Sequence, residues 1–402
     1  MAEDHREAKN VANGSNGAAL DVEHAVQLRY GGAAQEAEFG LCVPVEYDRS
    51  LLEAIPDEII EKDYGCGDPS RHVKRGETVL DLGSGSGKAC YMMSQIVGKE
   101  GRVVGIDFTE KMLNLARSHQ QAIGNRLGFH NVEFRRGKIQ DLRLDLERVE
   151  EYLRSHPVSC LTELNHLREF EESLSHDEPM IPDESIDVVV SNCVLNLVKA
   201  EDKKQLFAEM YRVLRRGGRV AISDIVSDEP VPESMKNDPT LWSGCVSGAF
   251  QEEELVQAFE EVGFYGIRVE AMPSQPYETV QGIEFRSITL TAYKGKEGPC
   301  IERNHAVIYR GPWKQVLDDD HHTFPRGVRI AVCDKTFEIC SRPPYQDEFI
   351  LISPREEVPK ELAGPFDCSR DVRRLPSETK GKDYKVTQAS ASACGPGGSC
   401  CP

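Results

Sequence analysis

Thr78-Val79-Leu80-Asp81-Leu82-Gly83-Ser84-Gly85-Ser86-Gly87 passes from an aliphatic run straight into three glycines at alternate positions. The first half has the composition of a buried strand, and the glycines let main chain approach a ligand because no Cβ intervenes. A helix expected from Lys88 to Val97 brings its unpaired N-terminal N–H groups to the same place. The stretch reads as strand, ligand loop and helix, the opening unit of a parallel α/β sheet.

Outward from it the alternation continues. A strand is expected at Arg102 to Ile106, a helix at Glu110 to Leu127 and a strand at Val132 to Arg136. Between Asp141 and Pro182 the apolar residues Leu146, Val149, Leu153, Leu164 and Leu167 fall at helical spacing in a charged segment, which predicts an inserted helical pair. The sheet resumes with Ile186-Asp187-Val188-Val189-Val190-Ser191-Asn192-Cys193, then a helix from Lys203 to Leu214, a turn at Arg216-Gly217-Gly218 and a strand from Arg219 to Asp224. A helix at Glu252 to Val262 and strands at Gly266 to Glu270 and Glu284 to Tyr293 follow. Upstream, Leu51 to Lys62 is amphipathic and predicts one helix, and Val22 to Tyr30 a short one.

The fold class is therefore α/β, a Rossmann-like sheet with crossover helices. The expected organisation is a flexible N-terminal segment (1–41), a cofactor-binding core (42–228, with its helical insert at about 141–182), a substrate region (229–297), a small β-rich C-terminal domain (298–365) and a flexible Cys-containing tail (366–402).

Across 402 residues the formal net charge is -19, which disfavours nucleic acid, whose binding runs on clustered Lys and Arg. Met1 to Leu20 is polar and lacks the apolar core of a leader, and no run approaches a membrane span, so a cytoplasmic protein without membrane attachment is expected. The 13 cysteines are an odd number and too sparse for a disulfide scaffold. In a reducing compartment they read as core residues, metal or metalloid ligands, or redox thiols.

The glycine loop discriminates among ligands. A phosphate-binding P-loop needs glycine at 82 and Ser or Thr at 89, where this chain has Leu82 and Ala89. A pyrophosphate fingerprint wants its third glycine one residue later than Gly87. Asp107, closing the next strand, is placed to accept two ribose hydroxyls. The acid-led form Asp81-Leu82-Gly83-x-Gly85-x-Gly87 resembles motif I of class I S-adenosylmethionine-dependent methyltransferases.

Three cysteines stand in unusual settings. Cys66 and Cys245 lie in Gly65-Cys66-Gly67 and Gly244-Cys245, loops where core packing is not the obvious demand, although free cysteine is among the residues most often buried. Cys193 lies at a strand's carboxyl end, where open α/β sheets bind ligands. Taken with the glycine loop, Tyr64-Gly65-Cys66-Gly67, Val190-Ser191-Asn192-Cys193-Val194-x-Asn196-Leu197-Val198 and Trp242-Ser243-Gly244-Cys245 resemble the arsenite methyltransferase family. The similarity runs in order from about Asp63 to Tyr293 and more weakly from Val307 to Pro354.

That resemblance implies that Cys66, Cys193 and Cys245 bind trivalent arsenic, with arsenite and methylated arsenicals as substrates. The methyl group would come from S-adenosylmethionine. Thiolates suit soft centres, and arsenic held by sulfur keeps a lone pair that attacks a sulfonium methyl without a general base. The resemblance also implies a thiol relay between Cys42 and Cys66, re-reduced by thioredoxin or glutathione, and arsenic detoxification as the outcome. Cofactor contacts transfer by position to Tyr64, Gly65 and Cys66, to Asp81, Gly83, Gly85 and Gly87, and to Asp107 and Phe108. Ile139, Asn192, Cys193 and Val194 complete that pocket, and Met112 flanks the adenine from a helical position that ordinary core packing also explains. No metal cofactor is implied, and a monomer is expected.

Other residues read more plainly. Cys160 is expected at the surface, Cys90 against the sheet, and Asp318-Asp319-Asp320-His321-His322 in a solvated turn; Cys333 and Cys340 are left unassigned. The tail cysteines Cys394, Cys400 and Cys401 are read as thiols that capture metalloid. Two other functions fit parts of the pattern: a class I methyltransferase for a carbon or oxygen nucleophile of a small apolar metabolite, and a non-catalytic heavy-metal-binding thiol protein. Neither needs the three loop cysteines and a methyl-donor loop together.

Overall fold

Val79, Leu80 and Leu82 have no exposed surface, and a strand this continuously apolar is stable only where both its faces are covered. The computed structural model describes residues 22–38, 45–368 and 373–380. Helix α1 (Val22–Ala33) is followed by two short helices, α2 (Arg49–Leu52) and α3 (Asp57–Glu61). The single helix expected over Leu51 to Lys62 is broken at Pro56, which takes an extended ψ of 144° and caps α3. Inside a continuous helix its ring would displace the preceding turn.

The sheet is then assembled in the expected alternation: β1 (Thr78–Leu82), α4 (Lys88–Val97), β2 (Arg102–Asp107), α5 (Glu110–Leu127) and β3 (Val132–Arg136). Two helices, α6 (Leu146–Ser155) and α7 (Leu161–Asp177), form the insert. Next come β4 (Ile186–Asn192), α8 (Lys203–Val213), β5 (Leu214–Ser227), α9 (Glu233–Lys236), α10 (Pro239–Ser243), β6 (Phe250–Gln251), α11 (Glu252–Val262), β7 (Tyr265–Ala271), β8 (Glu278–Val280) and β9 (Ile283–Tyr293). The nine-stranded sheet has the order β3-β2-β1-β4-β5-β9-β7, with β6 beside β5 and β8 beside β9. The pairs β1 with β2, β1 with β4 and β2 with β3 are parallel.

Two expectations shift. The turn foreseen at Arg216-Gly217-Gly218 is absorbed into β5, where Gly217 keeps a φ of +83° while its N–H donates to the Lys294 carbonyl at 2.8 Å. The Lys294 N–H donates back to Gly218 O at 2.9 Å, so pairing carries the strand through the glycines. The strand expected to close on Cys193 stops at Asn192, because Cys193 turns to a φ of 63°.

Contacts divide the chain into two compact units, one of Met1–Leu214, Val220–Ala258 and Val269–Leu290, the other of Arg215–Arg219, Phe259–Arg268 and Thr291–Pro402. The second holds β10 (Ala306–Tyr309), β11 (Gln315–Leu317), β12 (Thr323–Pro325), β13 (Arg329–Ala331), α12 (Asp334–Cys340), β14 (Phe349–Ile352) and α13 (Pro376–Lys380). Its antiparallel sheet β13-β10-β14 packs Val307, Tyr309, Ile330 and Phe349 around Phe324. Between β11 and β12 the acidic run folds on itself: Asp318 accepts from the amides of Asp320 and His322 and from His322 Nδ1. Among the described residues no helix is long and apolar enough to cross a membrane.

Candidate active site

From β1 the chain goes outward to β2 and β3, then returns to lay β4 on the other side of β1. Loops leaving the carboxyl ends of β1 and β4 therefore diverge, opening the crevice in which such sheets bind ligands. The glycine loop is pinned there by backbone: Gly83 and Ser84 N–H donate to the Ile106 carbonyl at 2.8 and 2.9 Å. Gly85 N–H donates to one oxygen of Asp107 at 2.9 Å and Thr109 N–H to the other at 2.7 Å. Glycine is required at Gly83, where φ is +73° and a Cβ would lie 2.5 Å from Val194. At Gly85 an added Cβ would meet nothing within 4 Å, so this part of the loop faces open space.

A cavity occupies that space. Asp81, Gly83 and Gly85 line it from the end of β1, and Asp107, Phe108 and Met112 from the end of β2 and the start of α5. Tyr64, Ile139, Asn192 and Val194 complete the wall, and Cys193 joins them. Gly87 and Gly65 stand outside the lining. Gly87 starts α4 with φ +87°, and Gly65 is pressed so closely on Asn192 that a Cβ would overlap its amide. Burial pushes Asp81 up to about 7, and its carboxylate accepts the Cys90 thiol at 3.1 Å.

The first helix was expected only as a short element in a flexible segment, yet Glu23, Val26 and Tyr30 of α1 also line the cavity. Val22 and Val26 pack on Trp242, and Ala33 and Ala34 on Met112. Arg29 Nη1 donates to Thr240 O and Ser243 Oγ, both at 3.0 Å, and Lys138 pairs with Glu23 at 2.8 Å. The sequence signal was the apolar spacing of Val22 and Val26; it predicts a covered face but not what covers it.

Cys66, Cys193 and Cys245 come together in one apolar cluster with Val231, Met235 and Phe285. Asn192 fixes the first: its Oδ1 accepts from Cys66 and Gly67 N–H at 2.9 and 3.1 Å, and its Nδ2 donates to Gly67 O at 2.8 Å. Cys193 and Cys245 both sit in left-handed backbone, φ 63° and 64°, a conformation that costs an L side chain energy and marks sites where the surroundings impose it. The Cys245 thiol donates to the Cys193 carbonyl at 3.1 Å, and Tyr30 Oη lies 4.0 Å from Cys245 Sγ.

Asn196, beneath them, donates to the carbonyls of Ile225 and Cys245 at 2.7 and 3.2 Å. Asp224 accepts from Leu195 N–H at 2.8 Å, and burial pushes its carboxyl up to about 6. Asn196 entered the sequence reading only as one letter of the Val190–Val198 motif, with no role, and Asp224 only as the last residue of an expected strand; neither carries a spacing signature that marks it as support for the cysteines.

The thiols are joined through Cys193. Its hydrogen bond with Cys245 favours the thiolate, but the bond with Cys66 and burial outweigh it and push the Cys193 thiol well up. The bond with Cys193, and then burial, push Cys245 up as well. Near neutral pH these are thiols rather than buried charges. Cys42, Cys394, Cys400 and Cys401 lie outside the described residues. Cys160 is exposed at the start of α7, and Cys90 is buried.

A family model described as a methyltransferase domain matches residues 73–155 and 162–263. Another, described as a domain of unknown function (DUF8838), matches residues 296–384. Fold, glycine loop and cavity define a methyltransferase with a Rossmann-like core. An arsenite methyltransferase from Aquipseudomonas alcaligenes is 32% identical over 316 residues, covering 76% of this chain and 81% of its own length. One from Homo sapiens is 29% identical and covers 94% and 98%. The X-ray crystal structure of an arsenic(III) S-adenosylmethionine methyltransferase from Chlamydomonas reinhardtii superposes with a TM-score of 0.53 at 28% identity, covering 81% of this chain and all of that one. The chain belongs to the arsenite methyltransferase family.

Proposed function

We propose that the protein methylates trivalent arsenic, arsenite and then methylarsenite, using S-adenosylmethionine, with arsenic held by Cys66, Cys193 and Cys245. The observation that carries this reading is the position of Cys193, which belongs at once to the thiol cluster and to the wall of the cavity behind the glycine loop. The cavity fits the donor: Gly85 leaves room for it, and Asp107, held in place by the Gly85 and Thr109 amides, presents a carboxylate to the same wall for a ribose hydroxyl. Tyr64, Asp81, Gly83, Asp107, Phe108 and Met112 would hold it, with Ile139, Asn192 and Val194. S-adenosylmethionine supplies an electrophilic methyl group when bound.

The remaining chemistry belongs to this chain. Each thiol replaces one hydroxyl of arsenite, and its hydrogen leaves with that hydroxyl as water. Because their hydrogen bonds to neighbouring thiols and their burial keep Cys193 and Cys245 neutral, the empty site is spared a pair of clustered buried charges. The apolar surround of Val231, Met235 and Phe285 keeps water from the bound arsenic, whose lone pair stays free as the nucleophile. Asn192 holds the Cys66 loop against Cys193 and orients the substrate toward the donor. Well-oriented encounters of this kind gain about 7–11 kcal/mol over free reactants.

Gaining the methyl group leaves arsenic two electrons more oxidised. We assign the reductant pair to Cys42 and Cys66. The Cys42 sulfur attacks the sulfur of arsenic-bound Cys66, the Cys66–arsenic bond breaks with its electron pair returning to arsenic, and the Cys42 proton is released. The resulting disulfide is re-reduced by thioredoxin or glutathione, while methylated trivalent arsenic stays on Cys193 and Cys245. Such a cycle needs a reducing compartment, the cytoplasm, and serves arsenic detoxification.

The test is incubation with arsenite, S-adenosylmethionine and a thiol reductant, followed by arsenic speciation, for wild type and Cys193→Ser. Methylarsenicals from wild type alone support the proposal. Their absence from folded wild type overturns it.

A further inference from the structure

We propose that Cys300, Cys333 and Cys368 form a second binding site for trivalent arsenic, built entirely within the C-terminal unit. Their three sulfurs lie within 4.8 Å of one another, and all three cysteines are free. Main chain imposes the convergence. Phe366 N–H donates to Cys300 O at 2.8 Å, Glu302 N–H to Gly364 O at 2.8 Å, and Asp334 N–H, next to Cys333, to Ile301 O at 3.0 Å. Three segments distant in sequence are thereby stitched with one thiol at each seam.

The surroundings suit a ligand. Cys333 is buried, and its sulfur accepts the Thr336 N–H at 3.4 Å, with the Thr336 hydroxyl at 3.2 Å. Cys300 and Cys368 are partly buried. A cavity of about 260 Å³, lined in part by Cys333, Cys368, Thr336 and Phe366, gives access.

The number of donors selects the ion. Among the described residues no further His, Cys, Asp or Glu completes this group, whereas structural zinc takes four protein ligands. Trivalent arsenic takes three sulfurs and keeps its lone pair in the fourth direction. Thiolates sharing an ion at about 2.3 Å stand roughly 3.8 Å apart, so the trio needs only a small inward rotation of its side chains. Binding balances without redox: one arsenite and three thiols give one arsenic tris-thiolate and three waters, and no electrons move.

The choice of arsenic rests on the methylation reading, but binding here needs no methyl transfer, so the two fail separately. The probe is arsenite itself, added with a phosphine reductant to a full-length chain carrying Cys66→Ser, Cys193→Ser, Cys245→Ser, Cys394→Ser, Cys400→Ser and Cys401→Ser. The expected result is stoichiometric arsenic retained through gel filtration, with an X-ray absorption spectrum showing arsenic bound only to sulfur. Adding Cys333→Ser abolishes retention. Because Cys333 is buried, Cys300→Ser and Cys368→Ser are made separately, with thermal melting as the check on folding, and each is expected to abolish retention. Retention unchanged in folded Cys300→Ser and Cys368→Ser overturns the proposal, as does absence of arsenic from the folded six-serine chain. Stoichiometric zinc that arsenite does not displace also overturns it. Failure of wild type to methylate, with arsenic still held here, would sink the methylation reading alone.

Discussion

The chain gathers cysteines twice, and differently. Cys300, Cys333 and Cys368 close to within 4.8 Å of one another on ordinary backbone, whereas Cys66, Cys193 and Cys245 do not meet that limit among the described residues, two of them on left-handed backbone. The first group is a closed triangle stitched by main chain, and the second a chain of contacts through Cys193 beside an open cavity. The difference teaches what each geometry is good for. On the proposed readings, the closed set would retain its ion, while the set hinged on one thiol would take substrate in and let product go.

The largest expected effect separates the two. Cys193→Ser cuts methylarsenical formation by at least ~100-fold, since misplacement of a reacting centre alone costs about that much, while arsenic at the C-terminal trio persists. Equal loss of both, measured by speciation and by retained arsenic, would break the contrast. Next, Gly83→Ala forces a Cβ into Val194 at a φ of +73°, which destabilises by about 1–3 kcal/mol and weakens donor binding. Denaturant unfolding and a donor titration check this; Val194→Ala added to Gly83→Ala should recover part of the loss, because it relieves the clash though not the backbone strain.

A third expectation concerns pH. Asp81 and Asp224 are raised by burial to about 7 and about 6, so the folded state holds their protons more tightly than the unfolded chain. Their contribution to stability is fully present below the ordinary carboxyl range near 4 and is lost as pH rises through 6 to 7. Thermal melts across that window should show the slope, and Asp224→Asn should flatten it. The smallest effect is Cys160→Ser: exposed and a member of neither trio, it should shift stability by no more than about 0.5 kcal/mol and leave arsenic binding untouched.

What the sequence made legible was local. The β1 run and its glycines announce themselves because strand, loop and helix follow within a few residues, and Asp107 falls at the end of the next strand for the same reason. Cys66 and Cys245 were singled out by their glycine-bearing loops, Cys193 by its place at a strand's carboxyl end, and all three by family resemblance; they share one cluster. The break at Pro56 was readable from the proline itself and was missed because amphipathic spacing alone was followed. By contrast, Cys300 and Cys368 drew no notice. They meet Cys333 only through backbone bonds between remote segments, and such pairing leaves no periodic mark in a single sequence. The role of α1 was hidden likewise, since spacing tells which face of a helix is covered but not that it walls a cavity.

Cys193 and Cys245, at φ 63° and 64°, occupy a region that costs an L side chain about 1–2 kcal/mol and glycine almost nothing. A library of variants screened for solubility alone should therefore enrich glycine or asparagine at both positions. One screened for survival on arsenite should retain only cysteine. At β1 core positions such as Leu80 the two screens should agree, and their disagreement at 193 and 245 would map chemistry without any structure. Any attempt to make this enzyme more heat-stable must leave those two residues strained, because the most permissive backbone substitution there is also the one that removes a thiol.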